Sequence, residues 1–459
     1  MKCSDRSRSL AAILLATLFL TTIGVVPVAA DVKLPAVLGS HMVLQRNVPL
    51  PIWGTAKPGE KVVVNLDGNK AGTVADAKGL WKVTLKPMKA DGKPKQLTVS
   101  GNNTVTLTDI LIGEVWIGSG QSNMEYGLGG AHNAKTAVPA AKHPNIRLFH
   151  VPKVQSRAPA ADVKATWKVC TPQTARRFSA VLYFFGARLH KDLDVPIGLV
   201  NSSWGGSPIE PWTITAKGSG GMYNGMIAPL LPFPAKGVLW YQGETNVIQK
   251  NGMAYRGKMK DLIEGWRRVW NNDKLSFYFV QIAPWNNGRY ATGELPKLWE
   301  AQVATLKLPH TGMAVTTDLV PNLGDIHPKN KLDVGNRLAL WALAKDYGKK
   351  DIVYSGPLFT RLEVEGKKIR LHFAHAEGGL KASDGKPLSH FQIAGKDGKF
   401  VAATATVDGK NVVVSAEGVD VPTQVRFGWN RAATPNFFNT AGLPASPFQT
   451  NDWQGGTGE

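Results

Sequence analysis

Cysteine is almost missing from this chain of 459 residues, which has two, Cys3 and Cys170. Cys3 falls in an N-terminal segment expected to be removed, so Cys170 has no intramolecular partner, and a disulfide-stapled scaffold is excluded. Cys170 reads as a small buried apolar residue, with no role assigned. After residue 30 no apolar run is long enough to cross a bilayer, and stable membrane insertion is not expected. The chain lacks His-Glu-x-x-His, paired-cysteine motifs and histidines at ligand spacing, so no metal is expected. It also lacks a Walker loop and a dinucleotide fingerprint, and no cofactor is expected. No Gly-x-Ser-x-Gly frame surrounds a serine, which argues against the nucleophile elbow of α/β-hydrolases. Lysine and arginine are scattered, without an arginine-rich run interleaved with aromatics, and no nucleic-acid partner is expected.

Positive charge is what the chain has in excess: 54 Lys and Arg against 34 Asp and Glu, for a net +20. Such a surface favours polyanions or acidic polysaccharides, and simple solubility accounts for it as well. Lys86–Lys95 and Arg176-Arg177 are the denser places, and neither is a binding site by itself. Lys2, Arg6 and Arg8 precede an apolar run from Leu10 to Val26, and Val28-Ala29-Ala30 has the small residues of a cleavage site. Residues 1–30 therefore read as a signal peptide, and the protein as exported, in a bacterial periplasm or secreted fraction.

With 43% hydrophobic residues the chain is globular, and its length suits about three domains. Residues 31–108 carry short strand patterns punctuated by Pro58-Gly59, Asp67-Gly68, Lys78-Gly79 and Asp91-Gly92, as in a small β-sandwich. From 109 to 350 near-continuously apolar strands alternate with amphipathic helices. Strand patterns include Glu114–Ile117, Ile197–Asn201, Gly237–Tyr241 and Met313–Thr317. That alternation predicts a parallel sheet covered on both faces, the catalytic layer. From 351 to 459 the chain returns to β, with an irregular aromatic tail.

In such sheets ligands bind beyond the carboxyl ends of the strands. Four polar loops should therefore converge: Gln121-Ser122-Asn123, Trp204-Gly205-Gly206-Ser207, Gln242-Gly243-Glu244-Thr245-Asn246 and Gly324-Asp325-Ile326-His327. These supply the parts for acyl transfer. Ser122 is the hydroxyl, His327 the base and Asp325 the group that fixes its tautomer. The glycine pair and Gln242 are donors for an oxyanion. Blander readings exist: Gly118-Ser119-Gly120 is an ordinary turn after a strand, and His327-Pro328 only begins a helix. His132, His310 and His372 are other possible bases. A Glu244–Asp325 carboxylate pair would suit glycoside hydrolysis instead.

The blocks Gly120–Met124, Asn201–Trp212, Trp240–Asn246 and Asp325–Lys331 closely resemble the sialate O-acetylesterase family of SGNH-type serine hydrolases. The likeness extends to His41–Arg46 and Gly442–Phe448. It implies a flavodoxin-like three-layer α/β catalytic domain flanked by β modules, acting on acetylated glycans. Ser122 matches the family nucleophile and His327 its base, while Gly205 or Gly206 and Gln242 match the oxyanion hole. Gln121, Asn123, Glu244, Asn246 and Trp204 fall in the supporting or substrate-contacting positions. The wider superfamily places its acid three residues before the histidine, where this chain has Gly324; Asp325 is two before it. A Ser–His dyad held by a backbone carbonyl or Glu244 is the alternative. Loops 126–180 and the aromatics Trp212, Phe437 and Phe438 are expected either as sugar platforms or as core. The expected activity is removal of O-acetyl groups from sialic acid, xylan or xyloglucan through an acetyl-serine. A non-catalytic glycan-binding protein and a polyanion binder are the alternatives.

Overall fold

The computed structural model describes residues 31–451 apart from 287 and 289; residues 1–30, expected as a signal peptide, lie outside the described residues. The molecule is organised about β1, a 17-residue strand from Thr104 to Gly120. Its first half alternates exposed and half-buried side chains and belongs to the N-terminal module. Its second half, from Ile110, is buried throughout. The change marks where one strand leaves a two-sided sheet for the centre of a covered one.

Six further strands complete the central sheet: β2 (His143–His150), β3 (Trp167–Cys170), β4 (Ile197–Ser203), β5 (Gly237–Tyr241), β6 (Ser276–Val280) and β7 (Thr311–Ala314). Their spatial order is β7-β6-β5-β1-β4-β2-β3. All neighbours are parallel except β2 and β3. The chain winds away from β1 on both sides, so the switch point of the sheet lies at its carboxyl end.

The helices that position the site are α1 (Ser122–Glu125), α2 (Ala180–Leu193), α3 (Tyr255–Trp270), α4 (Glu294–Thr305) and α5 (Lys331–Lys345). On β6, Phe277 packs on Trp266 of α3, while the next residue, Tyr278, packs on Trp341 of α5. Successive strand residues point to opposite faces, so α3 and α5 cover opposite sides. Helix α2 lies with α5, and α4 with α3.

The sequence pattern ends the first catalytic strand at Ile117, but pairing continues to Gly120, which sits opposite Ser203 on one side and Tyr241 on the other. Gly118 and Gly120 serve packing here and make no turn. A Cβ on Gly118 would lie 2.4 Å from Leu182 of α2. Gly120 has φ +128, and a Cβ there would lie 2.2 Å from the Tyr241 carbonyl oxygen.

In the N-terminal module, Leu50–Thr55 pairs with Leu80–Leu85, and Lys61–Leu66 pairs with both Asn69–Val74 and Lys95–Ser100. Its buried side chains are continuous with the core of the central sheet. The C-terminal module has a separate core including Ile369, Leu371, Phe391, Val412, Phe427 and Phe448. Its tail returns to the central domain, where Ser446 Oγ accepts a 2.9 Å hydrogen bond from Gln281 and Arg431 donates to the Tyr290 carbonyl at 2.6 Å. Trp212, Phe437 and Phe438 are buried, at 0%, 0% and 7% exposure, so these three are core and not sugar platforms. Among the described residues no helix is long and apolar enough to cross a membrane.

Candidate active site

Strand β1 delivers Ser122 to the carboxyl edge of the sheet, at the first residue of α1. The Gln121 N–H donates to the Tyr241 carbonyl at 2.9 Å, which fixes the exit of the strand against β5. Between β7 and α5, 205 residues further along the chain, His327 brings its Nε2 to 2.9 Å from Ser122 Oγ. That is hydrogen-bond distance for a base and the proton it removes. The other candidate bases make different contacts. His132 rests on the Lys329 carbonyl at 3.4 Å, His310 precedes β7 at the opposite edge of the sheet, and His372 belongs to the C-terminal module.

Asp325 does not hold the imidazole as a triad acid would. Its Oδ1 accepts the backbone N–H of His327 at 2.8 Å and lies 4.0 Å from the ring Nδ1. The carboxylate closes a local turn, an arrangement Asp adopts readily two residues before the N–H it binds. Burial lowers the pKa of His327 below its usual value, and the neighbouring Lys331 charge lowers it further, against the opposing pull of Asp325.

Gln242 departs from the oxyanion role that the resemblance implied. It is fully buried, and its amide nitrogen faces Gln121 Oε1, the Ser207 carbonyl and Asn246 Oδ1 at 3.1, 3.2 and 2.7 Å. Its oxygen accepts from the Tyr255 hydroxyl at 2.7 Å. The amide has two N–H groups for three acceptors, leaving none for a substrate. Asn246 is similarly spent, accepting from the Ile209 N–H and donating to the Glu210 carboxylate. Gln121, Gln242 and Asn246 thus form a buried amide relay that locks three loops together. Trp204 is half-buried, and its N–H donates to the Gly120 carbonyl at 3.0 Å.

Of the two glycines, Gly205 lies against the nucleophile: a Cβ there would stand 3.4 Å from Ser122 Cβ, while Gly206 has open space around it. The Gly205 N–H is held by Glu125, whose Oε2 accepts from it at 2.6 Å, while Oε1 pairs with Lys153 at 2.6 Å. An anionic oxygen on that N–H is the contact a developing oxyanion would make.

Beneath Ser122 and His327 lies a charged layer. Asn123 donates to Glu244 Oε1 at 2.6 Å and to the Ile326 carbonyl at 3.0 Å, and accepts from the Lys331 ammonium at 2.5 Å. Glu244 is 3% exposed, and its Oε2 has no hydrogen-bond partner among the described residues. Burial raises its pKa. Among the described residues Glu244 makes no hydrogen bond to His327; its bonded oxygen is held by Asn123. Glu125 and Lys331 are the site residues that sequence reasoning passed over. For the second, its place inside the Asp325–Lys331 block was the available signal.

Two clefts flank the Ser122–His327 pair. One, of about 530 Å³, is lined by His132, Asp318, Asn322, Asp325, Pro328 and Lys329, among others. The other, of about 510 Å³, runs past Glu125 and Tyr126 to His150, Arg176 and Arg177. It continues into a groove lined by Lys164, Lys168 and again Arg177. Among the described residues no group of three or more His, Cys, Asp or Glu side chains is placed to hold a metal ion. Cys170 is buried away from the site, its thiol pushed up to about 12 by burial.

A hydroxyl and an imidazole meeting at the switch point of a covered parallel sheet, beside backbone donors, suit attack on a carbonyl, and the protein is a carboxylic ester hydrolase. Residues 112–344 match the family described as carbohydrate esterase, sialic acid-specific acetylesterase, and the chain belongs to that family. Human sialate O-acetylesterase is 29% identical over 488 residues, covering 90% of this chain and 91% of its own. The mouse enzyme is 31% identical over 504 residues, covering 90% and 93%. A carbohydrate acetylesterase from Xanthomonas citri has a solved structure that superposes with a TM-score of 0.88 at 41% identity, covering 92% of this chain and 100% of that one.

Proposed function

We propose that this protein removes O-acetyl groups from glycans through an acetyl-serine intermediate, with Ser122 as nucleophile and His327 as base. The observation that carries the reading is the 2.9 Å approach of His327 Nε2 to Ser122 Oγ, in a chain of this family. Ser122 Oγ attacks the acetyl carbonyl while its proton passes to His327. Negative charge gathers on the carbonyl oxygen, which takes the place of the Glu125 carboxylate at the Gly205 N–H and also meets the Ser122 N–H. The bond to the sugar oxygen breaks as the imidazolium protonates it, and the sugar leaves as an alcohol. Water then attacks the acetyl-serine, giving its proton to His327; acetate departs and Ser122 Oγ regains the proton. One water is consumed and one ester is cleaved.

The charge of the second cleft favours an acidic glycan. Arg176, Arg177, Lys164 and Lys168 line that cleft and its continuation, and the one carboxylate on either wall, Glu125, is paired with Lys153. Cations on a concave wall draw in a carboxylate-bearing sugar and hold it beside the nucleophile. The relatives named sialate O-acetylesterase agree with such a substrate. Export to a periplasm or the medium is part of the same reading. The test is acetate release from acetylated sialosides, acetylated uronate-containing polysaccharides and acetylated neutral xylan. Faster turnover of the acidic substrates, abolished in Ser122→Ala, is expected. Equal acetate release by wild type and Ser122→Ala would end the esterase assignment, and a preference for neutral xylan would end the acidic-glycan assignment.

A further inference from the structure

A layer of buried polar and charged side chains lies below the reacting atoms. Lys331 is a fully buried lysine at the first position of α5. A cation is poorly placed there, because the start of a helix carries partial positive charge and burial strips the ammonium of water. Structural economy would put an apolar residue at such a position. The lysine is instead surrounded by groups from each element that carries the reaction. Its ammonium donates to Asn123, the neighbour of Ser122. It stands 5.1 Å from the ring of Tyr126, which closes the Ser122 turn, and 5.3 Å from that of Tyr241 at the end of β5. Asn123 in turn grips the Ile326 carbonyl, the neighbour of His327, and the Glu244 carboxylate on the β5 loop.

We propose that Lys331 is a positioning residue for the reaction: through Asn123 it ties the turn carrying Ser122 to the loop carrying His327, and its ammonium opposes a proton on that imidazole. The proposal rests on the Ser122–His327 reading. Two consequences follow from the geometry. Loss of the tether loosens the 2.9 Å contact between nucleophile and base, which costs turnover more than substrate affinity. Loss of the ammonium removes the positive charge that opposes a proton on His327 and leaves the pull of Asp325, so the imidazole takes up a proton more readily. Burial brings the Lys331 pKa down to about 7, with Glu244 and Asp325 pulling the other way.

The experiment measures acetate release against pH for wild type, Lys331→Met, Lys331→Arg and the double variant Lys331→Met/Glu244→Gln, with thermal unfolding as the check on folding. Removing the lysine alone strands a buried carboxylate, and the double variant removes both charges together. Lys331→Met is expected to lose about tenfold or more in kcat with KM within about twofold, and its acid limb in kcat/KM should move to higher pH. If Lys331→Met does not fold, the double variant carries the same expectation for kcat. Lys331→Arg keeps the charge and should return the limb towards its wild-type position. Wild-type kcat and an unmoved acid limb in folded Lys331→Met or the double variant would overturn the proposal. Ser122→Ala run alongside separates the two levels. Acetate release that survives Ser122→Ala defeats the nucleophile assignment, whereas an inactive Ser122→Ala beside normal lysine variants defeats only the role given to Lys331.

Discussion

Asp325 binds the backbone N–H of His327 at 2.8 Å while standing 4.0 Å from the ring nitrogen it would need to orient. The two residues are neighbours through the main chain, not through the imidazole. An asparagine at 325 can still accept that N–H, so Asp325→Asn should fold normally. It is expected to lower kcat/KM by about tenfold, far less than the roughly 10⁴-fold loss that follows removal of a true triad acid. A loss near 10⁴ would mean that the ring closes onto the carboxylate when substrate binds.

The pH profile follows from the groups around His327. A base must be unprotonated, so kcat/KM rises with pH through the histidine pKa and is lost below it. Burial and Lys331 hold that pKa below 6.5. Half-maximal kcat/KM on the acid side is therefore expected below pH 6.5. Asp325→Asn should push the midpoint lower still, because the carboxylate it removes favours the imidazolium. A wild-type midpoint above pH 6.5 would contradict the assignment.

Glu125 sits on the Gly205 N–H, the donor proposed for the acetyl oxygen. Exchanging it for alanine removes a competitor for Gly205, so KM for a small chromogenic acetyl ester should fall about three- to tenfold with kcat held, the net worth of an ordinary hydrogen bond being about 1 kcal/mol. A fall in kcat with KM unchanged would instead give Glu125 a part in shaping the hole.

Gln242 faces three oxygens with its amide nitrogen. Gln242→Glu keeps the shape and turns that donor into an acceptor among acceptors, all of them buried. The expected cost is about 3 kcal/mol or more of stability, read from the urea midpoint. Wild-type stability with a hundredfold loss of kcat would restore Gln242 to the oxyanion hole.

Much of this arrangement was legible in the sequence because it depends on local pattern. The period-2 and period-3.6 apolar patterns give the strands and helices of the central domain, and the alternation of the two gives parallel order. Parallel order alone brings the loops of Ser122, Gly205, Gln242 and His327 to one edge. What the pattern cannot carry is which side of a side chain is already satisfied. Gln242 and Asn246 look like free amides in a polar loop, and only the fold shows their partners. Gly118 and Gly120 look like a turn, and only the approach of Leu182 and Tyr241 shows that they lie inside a strand. Trp212 and Phe437 are aromatics beside loops in the chain, and core in space. Lys331 reads as a helix-terminal surface lysine until its burial is seen. The strand Asn69–Val74, which alternates half-buried and exposed residues around Gly72, carries too little apolar signal to be found.

The acetyl group itself offers the most direct measurement. With an activated aryl acetate, whose acylation outruns deacylation, rapid acid quenching and mass spectrometry of the digested protein should find one acetyl group on the peptide carrying Ser122, formed at the rate of the first burst of alcohol and lost as acetate appears. Turnover at full rate with no acetyl on that peptide, or the same acetylation in Ser122→Ala, would show that the ester is cleaved without this serine.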